Sequence, residues 1–553
     1  MLEGCVFWPA EFAARYRARG WWEGITIAQM LARSAERSPA KTALVCAGQR
    51  LSYRDLVQTS DRLACRFLEA GIQPLDRVVV QLPNGPEFVH TYFALTRIGA
   101  IPVMALRAHR HTEIRHFVRA SGAIAYVIPD RIGSFDYRTM AAEVQKDFPS
   151  LHTVFVSGEP ATVQRDLREM ITEPMSTAAI SDALATLRLD PSEVATMLLS
   201  GGTTSLSKLI PRTHDDYVLN ARLCGRAGGF DENTVFMAIL PLGHNYNLAS
   251  PGMLGTLYYG GTIVLASSGD PAEVFSLVER EKVTTIAAVV PLISNWLNSP
   301  VPDGYDLSSL KVIQNGGARL APELRSRLRA RFGCVAQEIY GTAEGLINMV
   351  PLDAPDGYLL HSSGVPVCED DEIKVIDDAG NELPDGVQGE LATRGPYTIR
   401  GYYRAPDKYI EAFTSDGFYR MGDIVRKDGR YIYTEGRKKD LINRGGEKIS
   451  CEEVENLIFA HPKVKAVTLV AMPDPVFGEK ACAFVIAKEG QTLEFAELID
   501  FLRQQNIASF KLPERLELVS EFPVSPVGKI LKRQLREAIA EKMENENAGG
   551  GRT

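Results

Sequence analysis

Apolar positions recur along this chain with two spacings, and the two alternate. Between residues 51 and 71, Leu56, Leu63 and Phe67 fall on one helical face, with Ser52 able to cap, Asp55 three residues on and Gly71 as a stop. Val78-Val79-Val80 then reads as a buried strand, closed by Pro83-Asn84-Gly85. A helical pattern from Phe88 to Ile98 ends at Gly99, and Ile101-Pro102-Val103-Met104 is extended. Ile124–Ile128, Val154–Val156, Phe236–Leu240, Thr262–Ala266 and Thr284–Val290 are further β-rich runs. Strands alternating with helices predict an α/β fold of layered, largely parallel sheets. No fixed-period repeat is present, which excludes a solenoid or propeller.

The texture changes near Glu372. Ile373–Ile376, the turn Asp377–Gly380 and Gly389–Ala392 predict an antiparallel, hairpin-rich piece. Past Tyr431-Ile432-Tyr433 lies a polar run, Gly436-Arg437-Lys438-Lys439-Asp440, with the character of a linker. Beyond it, helices at Glu452–Phe459 and Phe495–Arg503 alternate with strands at Val467–Ala471, Ala483–Ile486 and Leu516–Val519. The expected organisation is a large domain over residues 1–436 with a β-rich subdomain at about 365–436. A hinge at 437–440 centred on Lys439, a small mobile α+β domain over 441–545 and a disordered tail at 546–553 complete it.

Bulk properties narrow the class. At 553 residues, with 45% hydrophobic and 24% charged positions, the chain reads as a multidomain soluble protein. Its net charge of −8 offers no basic field for nucleic acid. The eight cysteines are scattered without a CxxC pair, as expected of reduced thiols in the cytoplasm. The charged N-terminus does not read as a signal peptide, and no apolar run nears the roughly twenty residues of a membrane helix.

Candidate chemistry starts at Ser200-Gly201-Gly202-Thr203-Thr204-Ser205, with Lys208 close behind. Glycines permit close backbone approach, hydroxyls and amides donate to phosphate oxygens, and a lysine adds charge. The spacing is not that of a Walker loop, and alone such a run is equally a polar surface loop. It is, however, the first of an ordered series: Gly316-Gly317-Ala318, Tyr340-Gly341-Thr342-Ala343-Glu344-Gly345, Tyr419-Arg420-Met421-Gly422-Asp423, Gly436-Arg437, Arg444-Gly445-Gly446-Glu447-Lys448 and Pro526-Val527-Gly528-Lys529. The series resembles the adenylate-forming superfamily of acyl-CoA synthetases, nonribosomal-peptide adenylation domains and firefly luciferase. Tyr16–Trp22, His244-Asn245-Tyr246 and Ala343-Glu344-Gly345 are most similar to the stand-alone aryl-acid–AMP ligases of siderophore assembly. Ser205-Leu206-Ser207 departs from the family's usual Gly-Thr-Pro before the lysine.

What this resemblance implies is ATP-dependent conversion of an aryl acid to aryl-AMP and pyrophosphate, then transfer to the phosphopantetheine thiol of an aryl carrier protein. Ser200, Gly201, Gly202, Thr203, Thr204 and Lys208 would hold phosphates, and Glu344 would bind Mg²⁺. Gly316, Gly317, Ala318 and Tyr340 would line the adenine site, with Asp423 and Arg437 at the ribose. Lys529 would reach the reacting carboxylate and α-phosphate; with Glu344 and Lys208 it makes up the catalytic set. His244, Asn245, Tyr246, Ser250, Ile339, Gly341 and Ile347 would form the aryl-acid pocket. In the ligases it resembles, serine at position 250 goes with 2,3-dihydroxybenzoate and cysteine with salicylate, whereas Ile347 is bulkier than the valine usual beside the dihydroxy acid. Three other readings stay open: a salicylate ligase, a CoA synthetase for a benzoate-type acid, and a nucleotide-binding module without catalysis.

Overall fold

The structure, a computed structural model, describes residues 2–200, 207–445, 447–505, 507–525 and 528–550. Two large sheets dominate the first 366 residues. One has nine strands, the central six parallel: Val335–Thr342, Val312–Gly316, Thr285–Ala288, Val235–Ala238, Thr262–Leu265 and Thr42–Cys46. The other has seven, parallel except where Leu209–Thr213 runs back beside Val194–Leu199.

The two-residue period of a strand divides its side chains between layers. Val78 and Val80 join Leu44, Phe236, Ala238, Ile263 and Leu265 in a core between the sheets, filled by helices Tyr53–Glu69, Pro86–Ile98, His214–Ala227 and Gly252–Tyr258. Val79, Ile101 and Val103 face outward onto helices His111–Ser121 and Tyr137–Asp147. Val45, Met237, Val264 and Ile286 do the same against Pro271–Glu281, Val290–Asn298 and Pro322–Phe332. Pro86–Ile98 is buried on nearly every face, with polar His90, Thr91 and Thr96 buried beside its apolar residues. Ser52 and Asp55 cap helix Tyr53–Glu69 reciprocally, at 3.1 Å and 2.9 Å.

Residues 372–437 form the expected antiparallel sheet of four strands, Glu372–Ile376, Gln388–Arg394, Tyr419–Asp428 and Tyr431–Arg437. Lys438–Asp440 is a single 3₁₀ turn. The small domain's sheet begins at Ile442, and its central hairpin, Val464–Asp474 with Gly478–Ala487, is longer than its apolar runs suggest. Residues 546–550 depart from the expected disorder: helix Lys532–Gly550 includes them, while residues 551–553 lie outside the described residues. Arg515 grips Glu546 with two hydrogen bonds, of 2.8 Å and 2.7 Å, and ties that turn to a strand. No described helix is long and apolar enough to cross a membrane.

Candidate active site

Leu240, Val289 and Gly316, at the carboxyl ends of three parallel strands of the nine-stranded sheet, line one cleft, where ligands of α/β sheets generally bind. Val312–Gly316 delivers Gly316-Gly317-Ala318 there. Gly317 sits at φ +86°, a conformation that favours glycine. The turn is braced from below: Asn315 donates to Ala318 O at 2.7 Å and to buried Glu338, which Arg325 pairs at 3.0 Å. Gly316 has no room for a larger side chain, since a Cβ would stand 2.9 Å from the Tyr246 ring.

Asp423 lies on strand Tyr419–Asp428, and both of its oxygens are oriented. Oδ1 pairs with Arg437 Nε at 2.7 Å and Oδ2 accepts from the Tyr340 hydroxyl at 2.8 Å. Burial pushes this carboxyl's pKa up, and Arg437 and Tyr340 oppose the shift. A buried, aligned carboxylate at a cleft edge suits a pair of vicinal hydroxyls.

The two ends of the glycine-rich run meet where Ser200 N donates to Lys208 O at 3.0 Å and Lys208 N donates to Ser200 Oγ at 2.8 Å. Gly201, Gly202, Thr203, Thr204, Ser205 and Leu206 lie outside the described residues. Lys208 Nζ stands 4.1 Å from the centre of the Tyr402 ring, and Tyr402 donates to Glu344 Oε1 at 2.9 Å. Burial lowers the Lys208 pKa, and Glu344 opposes the drop. Glu344 is itself anchored, its carbonyl accepting from Ile399 N at 2.8 Å.

Lys529 enters from the small domain. Its Cε lies 3.3 Å from where a Cβ on Gly317 would stand, and it lines a cavity with Leu240, Pro241, His244, Tyr246, Val289 and Gly316. His244 Nδ1 accepts from Tyr246 N at 3.3 Å; burial, then Lys529, lower its pKa to about 4. The ring is therefore neutral with its proton on Nε2, a donor toward the cleft. Behind it, Asn245 Oδ1 accepts from the Tyr217 hydroxyl at 2.9 Å and Asn245 Nδ2 donates to Ser250 Oγ at 3.2 Å. Ile339, Gly341 and Ile347 meet on adjacent antiparallel strands, where a Cβ on Gly341 would stand 2.6 Å from Ile347 Cδ1.

This arrangement, with a lysine from a second domain laid over a glycine turn, agrees with the match to family models. Residues 31–403 match the AMP-binding enzyme family, and residues 453–529 match the AMP-binding enzyme C-terminal domain. The chain belongs to the AMP-binding enzymes. Among relatives of this AMP-binding enzyme is the 2,3-dihydroxybenzoate-AMP ligase of Bacillus subtilis (strain 168), 46% identical over 98% of this chain and 99% of its own. The salicylyl-CoA synthase / salicylate adenylyltransferase of a Streptomyces species is 44% identical over 99% of each chain. Among solved structures, apo MbtA of Mycobacterium smegmatis is 37% identical, with a TM-score of 0.74 over 97% of this chain and 98% of its own. ATP-bound MatB from Rhodopseudomonas palustris reaches a TM-score of 0.82 at 26% identity, over 93% and 99%.

Residues that the motif series does not single out brace the same segments. Arg212 is fully buried; it pairs with Asp216 at 2.7 Å and donates to Ala343 O at 2.9 Å and Tyr397 O at 3.1 Å. It thereby joins the strand after the glycine-rich run to the segment carrying Glu344. A lone arginine within the buried run Leu209-Ile210-Pro211, four residues before an aspartate, was the available signal. Tyr397 accepts from Ile347 N at 3.4 Å and donates to Asp371, whose pKa burial raises to about 7. Tyr402, Tyr217 and Asn220 have no such sequence marker.

Proposed function

We propose that this AMP-binding enzyme activates an aryl acid, with 2,3-dihydroxybenzoate as its acid, to aryl-AMP. It then passes the aryl group to the phosphopantetheine thiol of an aryl carrier protein in siderophore assembly. The observation that carries the reading is the convergence of Lys529, His244 and Tyr246 on one cavity beside Gly316 and Gly317. An ammonium group there faces the place where an acid carboxylate and the α-phosphate of ATP would meet. As the carboxylate oxygen attacks phosphorus and pyrophosphate leaves, negative charge builds on the phosphate oxygens. Lys529 and Lys208 supply fixed positive charge for it, and Asp423 with Arg437 fixes the ribose. Neutral His244 can donate to an oxygen without adding charge, and the Tyr246 ring gives the acid a flat wall.

The donor set fits Mg²⁺. Among the described residues no cluster of three or more His, Cys, Asp or Glu could hold a metal alone. Glu344 offers a single carboxylate oriented by Tyr402, which suits an ion whose other ligands are substrate phosphates and water. When bound, the ion supplies charge neutralisation to the triphosphate. Glu344 would hold it, and Tyr402 would keep Glu344 in place.

ATP–pyrophosphate exchange across hydroxybenzoates, octanoate and amino acids tests the reading. The highest kcat/KM is expected with 2,3-dihydroxybenzoate, and octanoate preferred over every hydroxybenzoate would refute it. For the partner, kcat/KM with a phosphopantetheinylated aryl carrier is expected to exceed that with free coenzyme A, and parity would refute the carrier assignment. A salicylate ligase is the second reading, favoured by buried Ile347, whose bulk narrows the pocket wall against Gly341.

A further inference from the structure

Ser250 is nearly buried, and its hydroxyl is held by more groups than a substrate contact needs. Asn245 Nδ2 donates to Ser250 Oγ at 3.2 Å, and Asn220 Nδ2, from helix His214–Ala227, donates to the same oxygen at 3.1 Å. A hydroxyl has two lone pairs and one proton, so both lone pairs are taken. The Asn220 amide is not free to turn. Asn220 Nδ2 also donates to Ala249 O at 2.8 Å, which only a donor can satisfy. Asn245 Oδ1 accepts from the buried Tyr217 hydroxyl, which leaves its Nδ2 for Ser250. The Ser250 proton is left beside the thiol of Cys224, a weak acceptor. Asn220 Oδ1, moreover, is buried with no hydrogen-bond partner among the described residues. A residue kept only to stabilise its helix would not leave an amide oxygen unsatisfied, so the nitrogen end is the part in use.

We propose that Asn220 is a specificity-determining positioning residue: with Asn245 it occupies both lone pairs of Ser250 and makes that hydroxyl a donor only. The acid it selects carries a hydrogen-bond acceptor at ring position 3, beside the 2-hydroxyl. A group there that can only donate finds no lone pair on Ser250. This inference rests on the aryl-acid reading above and on Ser250 lying beside that ring position.

A substrate series on the wild-type enzyme tests it without any variant. 3-Aminosalicylate matches 2,3-dihydroxybenzoate in size, but its aryl amine donates well and accepts poorly. In pyrophosphate exchange its kcat/KM is expected to fall about tenfold or more below that of the diol, to within about threefold of salicylate. An amine as good as the diol would overturn the proposal, because Ser250 would then be accepting. Asn220→Ala is expected to lower the ratio of diol to salicylate kcat/KM about tenfold, and to lower it no further in a Ser250→Ala background. Equal loss for both acids would make Asn220 merely structural and overturn the assignment. Absence of exchange with every hydroxybenzoate would overturn the aryl-acid reading and this inference with it, whereas a diol preference without the amine penalty would overturn the inference alone.

Discussion

Arg212→Met tests whether one buried arginine holds the catalytic segments together. The side chain and its partner Asp216 are both 0% exposed. Removing the guanidinium leaves Asp216 as a buried charge that still accepts from Thr213 N and Thr213 Oγ1. It also strips the Ala343 and Tyr397 carbonyls of their donor. Breaking a buried pair from one side costs about 3–5 kcal/mol, and each orphaned carbonyl adds about 1 kcal/mol or more where water cannot reach it. Methionine recovers part of the lost packing, so a net loss of about 4 kcal/mol is expected in urea unfolding of the large domain. Asp216→Asn in the same chain removes the stranded charge while an amide oxygen still caps the helix. The double variant is therefore expected to regain about 1–3 kcal/mol. Its exchange activity should stay low, because Ala343 and Tyr397 remain unanchored. A single variant within 1 kcal/mol of wild type, or a double variant no more stable than the single, would refute the reasoning.

Three further outcomes follow from the same geometry. Ser250→Cys is expected to raise salicylate kcat/KM relative to 2,3-dihydroxybenzoate; if the wild type already prefers salicylate, Ile347 is the determinant instead. Asp371 has its pKa raised by burial from 3.8 to about 7, so the native state binds the extra proton between those values. The stabilising contribution is full below about pH 4 and declines as pH rises to 7, by on the order of 4 kcal/mol. Asp371→Asn should flatten that fall in a pH series of unfolding free energies, and an unchanged slope would count against it. Lys439→Pro, in the 3₁₀ turn between the domains, is expected to impair adenylation and thioester formation unequally by locking φ, whereas equal loss in both would argue against a hinge there.

Much of the fold was legible because local signals and burial agree. Ser52 and Asp55 cap the helix they announce, and Val78, Val79 and Val80 divide between two cores as a strand buried on both faces must. Gly316, Gly317 and Lys529, widely spaced in sequence, could be grouped only through their order in the motif series; they line one cavity, while Asp423 pairs with Arg437. The supports of that site were not legible. Arg212 finds Ala343 and Tyr397 across 131 and 185 residues, and Asn220 meets Ser250 across 30, distances over which no periodicity operates. Ser250 shows the limit most clearly. Its identity suggested a substrate contact, but its hydrogen-bonding character depends on two amides that only the fold brings to it. Residues 546–550 differ from the expectation for a similar reason, since composition cannot show that Arg515 holds Glu546.

The central claim is that Lys529, carried on the small domain, serves the adenylation half-reaction by placing its charge at the cavity beside Gly317 and His244. Its most direct test is Lys529→Ala, comparing ATP–pyrophosphate exchange with thiol transfer from supplied aryl-AMP. Losing a charge that acts on developing charge removes at least about 3 kcal/mol of transition-state stabilisation. Exchange is expected to fall a hundredfold or more, at about two decades per such loss, while transfer stays within about threefold of wild type. Exchange within tenfold of the wild-type rate would contradict the account.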